Sequence, residues 1–292
     1  MAELSILIPT YNDDCVSLVT GLKQQAEHLP LDYEILVADD GSTDAAVKTS
    51  NRAINQLPYC RYIERPENVG RAAIRNFLAS EARYSRLLFI DGDMVLTHPD
   101  YLQKYLNLSL SHSDHNFSIF YGGLTIAPLQ PGNLRSMYEN AEAPEHTLER
   151  RQQSPYHDFH TANFLIPREL MLLHPFDERF RHYGYEDVLF GKQLQQHAIP
   201  IHHIDNPLSF ERFESNDDFV CKTEEGLRTL FLFRHELQGY SRLLAIPHYL
   251  HAPLRLWHRL FKNAERRNLC GHRPSLLLFK LYKAGYFLSL FK

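Results

Sequence analysis

The 292 residues hold only four cysteines, Cys15, Cys60, Cys221 and Cys270, spread along the whole chain without a C-x-x-C pair. That spacing excludes a disulfide scaffold, offers no zinc knuckle, and suits a reduced compartment. No apolar run reaches the ~18–20 residues that a bilayer span requires. The opening, MAELSILIPTYN, has no basic segment ahead of its apolar residues. It reads as a strand and not as a signal peptide. With 13 glycines and 16 prolines, neither residue is in the excess that marks collagen-like or low-complexity chains. The remaining composition, 44% hydrophobic and 23% charged, is that of a folded globular chain with ample core.

The net charge of −4 is unevenly spread. From Arg234 to Lys292, eleven Lys and Arg face only Glu236 and Glu265, a net of +9, which leaves the first 233 residues at −13. Such a contrast implies two jobs, and it divides the chain into a body over 1–235 and a basic, Leu-rich helical region over 236–292. So acidic a body makes nucleic acid a poor partner.

Along the body, short apolar runs alternate with amphipathic stretches. Strands are predicted over Leu4–Ile8, Tyr33–Ala38, Arg61–Glu64, Arg86–Ile90, Ser118–Tyr121, Phe164–Pro167 and Pro200–Ile204. Helices are predicted over Cys15–Leu29, from Thr43, over Gly70–Arg83, from Pro99, over Asn133–Gln153, Tyr185–His197 and Asp217–His235. Strands without polar alternation, separated by helices of 10–15 residues, describe an α/β chain with a mostly parallel sheet covered on both faces. Ligands of such sheets bind at the carboxyl ends of the strands. Three polar clusters fall there: Pro9-Thr10-Tyr11-Asn12, Asp39-Asp40-Gly41-Ser42 and Asp91-Gly92-Asp93.

Each cluster has a plain and a functional reading. Asp91 and Asp93 on one glycine turn suit a hard divalent cation that keeps positions open for phosphate oxygens, or they form a solvated loop. The Asp39-Asp40 pair accepts from a nucleobase, or it is turn chemistry, with Ser42 or Thr43 capping the next helix. Asn68 is placed to cap the helix that begins near Gly70. Arg71, in the first turn of that helix, runs against the dipole and so calls for a phosphate or an acidic neighbour. Glu186 and Asp187 enter a helix whose N-terminus favours anions, and one of them is also suited to general-base work on a hydroxyl. In His202-His203, adjacent strand residues face opposite ways, so at most one serves a site.

Taken in order, SILIPTYN, EILVADDGSTD, NVGRAAIRN, LLFIDGD and GYEDVLFG resemble the inverting family 2 glycosyltransferases of the GT-A fold, from Leu4 to about Phe213. The resemblance implies a nucleotide-sugar donor, with UDP first and GDP second, bound by Pro9, Thr10, Tyr11, one acid of the Asp39-Asp40 pair with Asp40 favoured, Arg71 and Asp91. It implies Mn2+ or Mg2+ on Asp91 and Asp93. It makes Asp187 the catalytic base, with Glu186 beside it, and Asn163 an acceptor-site residue. The implied acceptor is a hydroxyl of a glycan or a lipid-linked sugar. Where several relatives carry a metal-binding histidine this chain has Phe210, so His202 or His203 replaces it, or Asp93, phosphates and water hold the metal alone. The basic region over 240–292 is expected either to pack on the body or to touch an anionic membrane from the cytoplasmic side. Two other classes stand beside this reading. A sugar nucleotidyltransferase needs a Gly-rich basic loop where this chain has Pro9-Thr10-Tyr11. A catalytically silent scaffold has no physical need of Arg71, Asp93 and Asp187 together.

Overall fold

The computed structural model describes residues 2–111 and 118–291. Its central sheet grows from a hydrophobic first strand, β1 (Ala2–Thr10), whose residues from Leu4 onward are all buried. After α1 (Val16–Glu27), β2 (Leu31–Asp39) pairs with β1 in parallel along its full length, so Thr10 and Asp39 end side by side. Next come α2 (Ala45–Asn51), β3 (Cys60–Glu64), α3 (Arg71–Glu81), β4 (Arg86–Ile90), the two-residue β5 (Met94–Val95) and α4 (Tyr101–Ser111). Beyond them lie β6 (Ile119–Tyr121), β7 (Leu124–Ile126), α5 (Leu134–Glu142), α6 (Leu148–Gln153), β8 (Asn163–Pro167) and α7 (Arg168–Leu173). The chain closes with α8 (Glu186–Gln196), β9 (Ile201–His203), β10 (Leu208–Phe210), α9 (Asn216–Leu232), α10 (His248–Leu269) and α11 (Leu276–Ser289).

The seven-stranded sheet has the order β3-β2-β1-β4-β8-β6-β9. Alternation along the strands feeds two cores. Leu7, Leu36 and Phe89 face one, and Ile6, Ile8, Ile35 and Leu88 face the other. The departure from a parallel sheet is β8, which runs antiparallel to both β4 and β6. A small second sheet, β5-β10-β7, was not legible, because strands of two or three residues carry no period. The helix expected over Asn133–Gln153 is broken into α5, a 3-10 turn over Ala143–His146, and α6. Pro144 has no amide hydrogen with which to continue α5.

Two helix starts differ from expectation. The cap of α2 is Asp44, which accepts from the amides of Ala46 and Val47, and not Ser42 or Thr43. Ser42 is held back because its amide donates to Asp39 and its hydroxyl accepts from Asn12. The residue before α3 is Gly70, with no side-chain cap, so Asn68 does not fill that role.

The C-terminal helices share core with the body. Phe279 and Tyr282 of α11 pack with Phe219 and Val220 of α9 and Leu134 of α5, while Phe287 and Leu288 join the central cluster. The close crossing of α10 and α11 depends on Gly285. A Cβ there would lie 2.6 Å from the Cβ of His258.

His203, on edge strand β9, is buried between Pro155 and Arg151. Its Nε2–H donates to the Pro155 carbonyl (2.9 Å), and Nδ1 faces the Arg151 guanidinium at 3.3 Å. Burial, with Arg151 adding to it, pushes its pKa down to about 4. The unfolded chain therefore binds the extra proton between pH 6.5 and 4, so stability is full above this window and is lost as pH falls through it. On going from pH 7 to 5, unfolding free energy should drop by about 2 kcal/mol at this site. Urea titrations of wild type and His203→Gln should show that the variant loses less over the same interval.

Candidate active site

The strand ends build one cleft of about 710 Å³. Of the residues singled out in the sequence, Pro9, Thr10, Tyr11, Asp40, Arg71, Asp91 and Asp93 line it. Asp39, Asn163, Glu186 and Asp187 are not among the lining residues.

The two aspartates after β2 divide the work. Asp39 is fully buried, with one oxygen accepting from the Ser42 amide and the other from the Tyr62 hydroxyl. It is committed to the turn. Asp40 reaches the cleft while accepting from the amides of Val69 and Gly70, each at 3.0 Å. Burial nevertheless holds its carboxyl above the usual range. The turn between them and α2 requires Gly41, with φ at +72° and a Cβ position only 2.5 Å from the Glu67 carbonyl carbon. Asn12, the last residue of the first polar cluster, ties this turn to β1, its side chain accepting from the amides of Thr43 and Asp44.

Asp91 and Asp93, which follow β4, line the cleft together with Asp13, which follows β1. Asp91 accepts from Arg75 Nη2 at 2.6 Å. The Asp93 pKa is pushed up to about 6, chiefly by burial and then by Asp91 and Asp13, with Arg71 and Arg135 opposing. Asp13 is raised for the same reason, burial. A carboxylate under that pressure is suited to a divalent cation. Among the described residues no group of three His, Cys, Asp or Glu forms a closed cage. The donor set thus fits a hard ion held by one or two protein oxygens with its remaining positions on a ligand.

Cations face these acids. Arg71 is exposed to the cleft, with its guanidinium 5.0 Å from the Tyr183 ring centre. Burial lowers its pKa, but Tyr183, Glu186, Asp91 and Asp93 outweigh that and hold it firmly charged. Arg135, Arg181, Arg212 and Lys222 also line the cleft. Arg135 lies 4.4 Å above the ring of Phe210 and donates to both oxygens of Glu214 at 2.8 Å. Where a metal-binding histidine was sought, the structure therefore stacks a cation on a phenylalanine. Neither His202 nor His203 substitutes. Both belong to β9 at the sheet edge, His202 stacked on Phe120 and His203 held as above, and neither lines the cleft.

The largest omission of the sequence reading is Arg75. It is 1% exposed and lies one helical turn after Arg71. Its guanidinium bridges Asp91 and, at 3.5 Å, Glu186, and it also donates to the Arg71 carbonyl. The i, i+4 spacing of two arginines on one helix was the available signal. Glu186 is brought to it by a sharp turn in which Tyr185 adopts a left-handed conformation, φ +71°. For a non-glycine residue such a conformation costs roughly 1–3 kcal/mol and persists only where its surroundings enforce it.

Asp187 turns the other way. Its Oδ2 lies 3.4 Å from His160 Nδ1, and its Oδ1 accepts from the Val188 amide. Against burial, which raises it, His160 keeps the Asp187 carboxyl below the usual range; in return Asp187, against burial, raises His160. Asn163, expected in the acceptor site, is fully enclosed. Its oxygen accepts from the hydroxyls of Tyr101 and Tyr105, and its amide donates to the carbonyls of Gly123 and Asn206. With all four positions filled by protein, it is a structural pin and has nothing left for a ligand.

A family model described as glycosyl transferase family 2 matches residues 5–172. The chain belongs to that family. Among curated relatives it is similar to an uncharacterized glycosyltransferase of Haemophilus influenzae, 26% identical over 209 residues that cover 69% of this chain and 77% of that protein. It is also similar to validoxylamine A glucosyltransferase of Streptomyces hygroscopicus subsp. limoneus, 28% identical over 228 residues, 68% of this chain and 49% of that protein. The chain thus matches only about half the length of that second relative. Two solved structures share the GT-A fold over 98% of this chain. They are S. aureus TarS 1–349 in complex with UDP (TM-score 0.52, 17% identity, 88% of that chain) and mannosyltransferase PcManGT from Pyrobaculum calidifontis in complex with GDP-Man and Mn2+ (TM-score 0.55, 15% identity, 84% of that chain).

The family match ends before α8, and two side chains of the matched segment reach it, Arg75 to Glu186 and His160 to Asp187. Arg75→Met leaves Glu186 buried without its cation and should cost about 3–5 kcal/mol in unfolding free energy. Adding Glu186→Gln should recover a substantial part of that loss, and the denaturation midpoints of the two variants give the comparison.

Proposed function

We propose that this family 2 chain is an inverting glycosyltransferase that moves a sugar from a nucleotide diphosphate, UDP before GDP, to a hydroxyl of a glycan or a lipid-linked acceptor. The observation that carries the reading is the juxtaposition, in one cleft at the strand ends, of Asp91 and Asp93 with Arg71 and Arg135. Carboxylates and guanidiniums so placed suit a ligand that brings both a cation and a diphosphate.

In this reading Thr10, Tyr11 and Asp40 flank the nucleoside, and Arg71 stands beside the diphosphate. Asp93 and Asp91 would hold Mn2+ or Mg2+, which would supply positive charge against the departing diphosphate. Asp187 accepts the proton of the acceptor hydroxyl, whose oxygen forms the new bond to the anomeric carbon. The bond to the diphosphate breaks with its electron pair on the leaving oxygen, and Arg71 offsets that charge. A single displacement inverts the anomeric centre. The pairing with His160 keeps Asp187 ionised and ready to accept at neutral pH, which supports an acceptor on the His160 side of the Arg75 bridge.

The basic region over 240–292 extends the reading to a peripheral position on the anionic inner face of a membrane, which suits a lipid-linked acceptor. No helix among the described residues is long and apolar enough to cross one.

Calorimetric titration with UDP and with GDP, each with and without Mn2+, tests the donor. One nucleotide should bind at least tenfold more tightly with the metal, and Asp93→Ala should remove that gain. Equal binding with and without metal in wild type would refute the cation role. A loss of 10²–10⁴ in kcat for Asp187→Asn, with nucleotide affinity unchanged, is expected for a general base.

A further inference from the structure

The surface of α10 stands apart from the rest of the molecule. Among the described residues, fourteen large hydrophobic side chains are exposed, and six of them lie on this one helix: Tyr249, Leu250, Leu256, Trp257, Leu260 and Phe261. Their spacing of three and four residues draws them into a single stripe, with Leu260 62% and Leu256 52% exposed. The buried residues of the helix are His258, Glu265 and Leu269. Trp257 is not a loose ring, because its Nε1–H donates to Glu265 at 2.8 Å.

Beside the stripe, α10 and α11 enclose a groove of about 610 Å³. Arg255, Arg259 and Lys262 line one wall, Tyr282 and Tyr286 the other, and Leu256 belongs to both groove and stripe. Among the described residues these three cations have no carboxylate partner, whereas Arg266 on the same helix is paired with Glu224 and Asp217. Unpaired cations gathered in a groove, next to an apolar stripe carrying Trp and Tyr, match the layering of a lipid surface. The phosphate plane lies above the acyl boundary, and aromatic rings sit between them.

We propose that this face is a phospholipid site, in which the groove of Arg255, Arg259 and Lys262 receives the phosphate of an anionic lipid while Leu256, Leu260 and Phe261 enter the acyl boundary. The assignment rests on the peripheral-membrane reading above and narrows it to one helix, one groove and one headgroup chemistry. A second copy of the chain is the competing occupant of the stripe. In a two-fold pairing of this face with itself it offers no negative charge at the matching place, since this region is the basic part of the molecule.

The test uses the full chain and sedimentation with vesicles of phosphatidylglycerol or of phosphatidylcholine. Wild type should partition onto the anionic vesicles and not onto the zwitterionic ones. Arg255→Gln/Arg259→Gln/Lys262→Gln should weaken that partition about a hundredfold, at roughly fivefold for each basic residue removed. Leu260→Ser/Phe261→Ser should weaken it as well. Both variants alter exposed side chains, and unchanged nucleotide binding would verify that they are folded. If the triple variant binds as wild type while the apolar variant does not, the phosphate groove is wrong and membrane contact stands. If wild type ignores anionic vesicles, the membrane reading falls together with the groove. If light scattering finds a dimer that Leu260→Ser/Phe261→Ser abolishes, the stripe belongs to a second copy and the proposal is overturned.

Discussion

A buried guanidinium holds this molecule's chemistry in register. Arg75 lies beneath the cleft with a carboxylate on each side, Asp91 from the end of β4 and Glu186 from the start of α8. Desolvating a cation and an acid costs several kcal/mol for each ion unless geometry returns it. The return here is positional. Three elements that are far apart in sequence, α3, the turn after β4 and the first turn of α8, are fixed against one another through one side chain. Tyr185, left-handed at φ +71°, immediately precedes Glu186, and Gly70 before α3 lies close against the chain around Arg181.

The same bridge explains why neighbouring acids behave differently. Asp91 has a fixed cation, whereas Asp93, two residues later, has burial and two like charges that raise its carboxyl above the usual range. Glu186 is spent inward on Arg75, and that leaves Asp187 free to face His160. Environment, and not residue type, separates the roles within each pair.

Much of this was legible from residue order alone. Buried strands ending in Thr10, Asp39 and Asp91, separated by amphipathic helices, locate a cleft at one sheet edge by topology alone. The resemblance favoured Asp40 as the ligand-facing acid, but no local signal shows that the turn would consume Asp39. That choice depends on Tyr62 of β3 reaching Asp39, a tertiary contact. Asn163 was misread for a similar reason. Nothing in its neighbourhood announces that Tyr101 and Tyr105 of α4 will fill its oxygen. The reversed β8 and the three short strands of the second sheet were equally hidden, since strand direction and two-residue pairings leave no local mark.

One side chain gives the C-terminal helices a hold on the cleft. Asn216 at the start of α9 donates to the carbonyls of Gly132 and Gly271, so a single amide clamps the loop before α5 to the turn between α10 and α11. Arg135 lies on α5, three residues beyond Gly132, and it carries charge into the cleft. Through Asn216 the α10–α11 turn and the loop that leads into Arg135 share one anchor, so the C-terminal helices are part of the frame that holds the cleft.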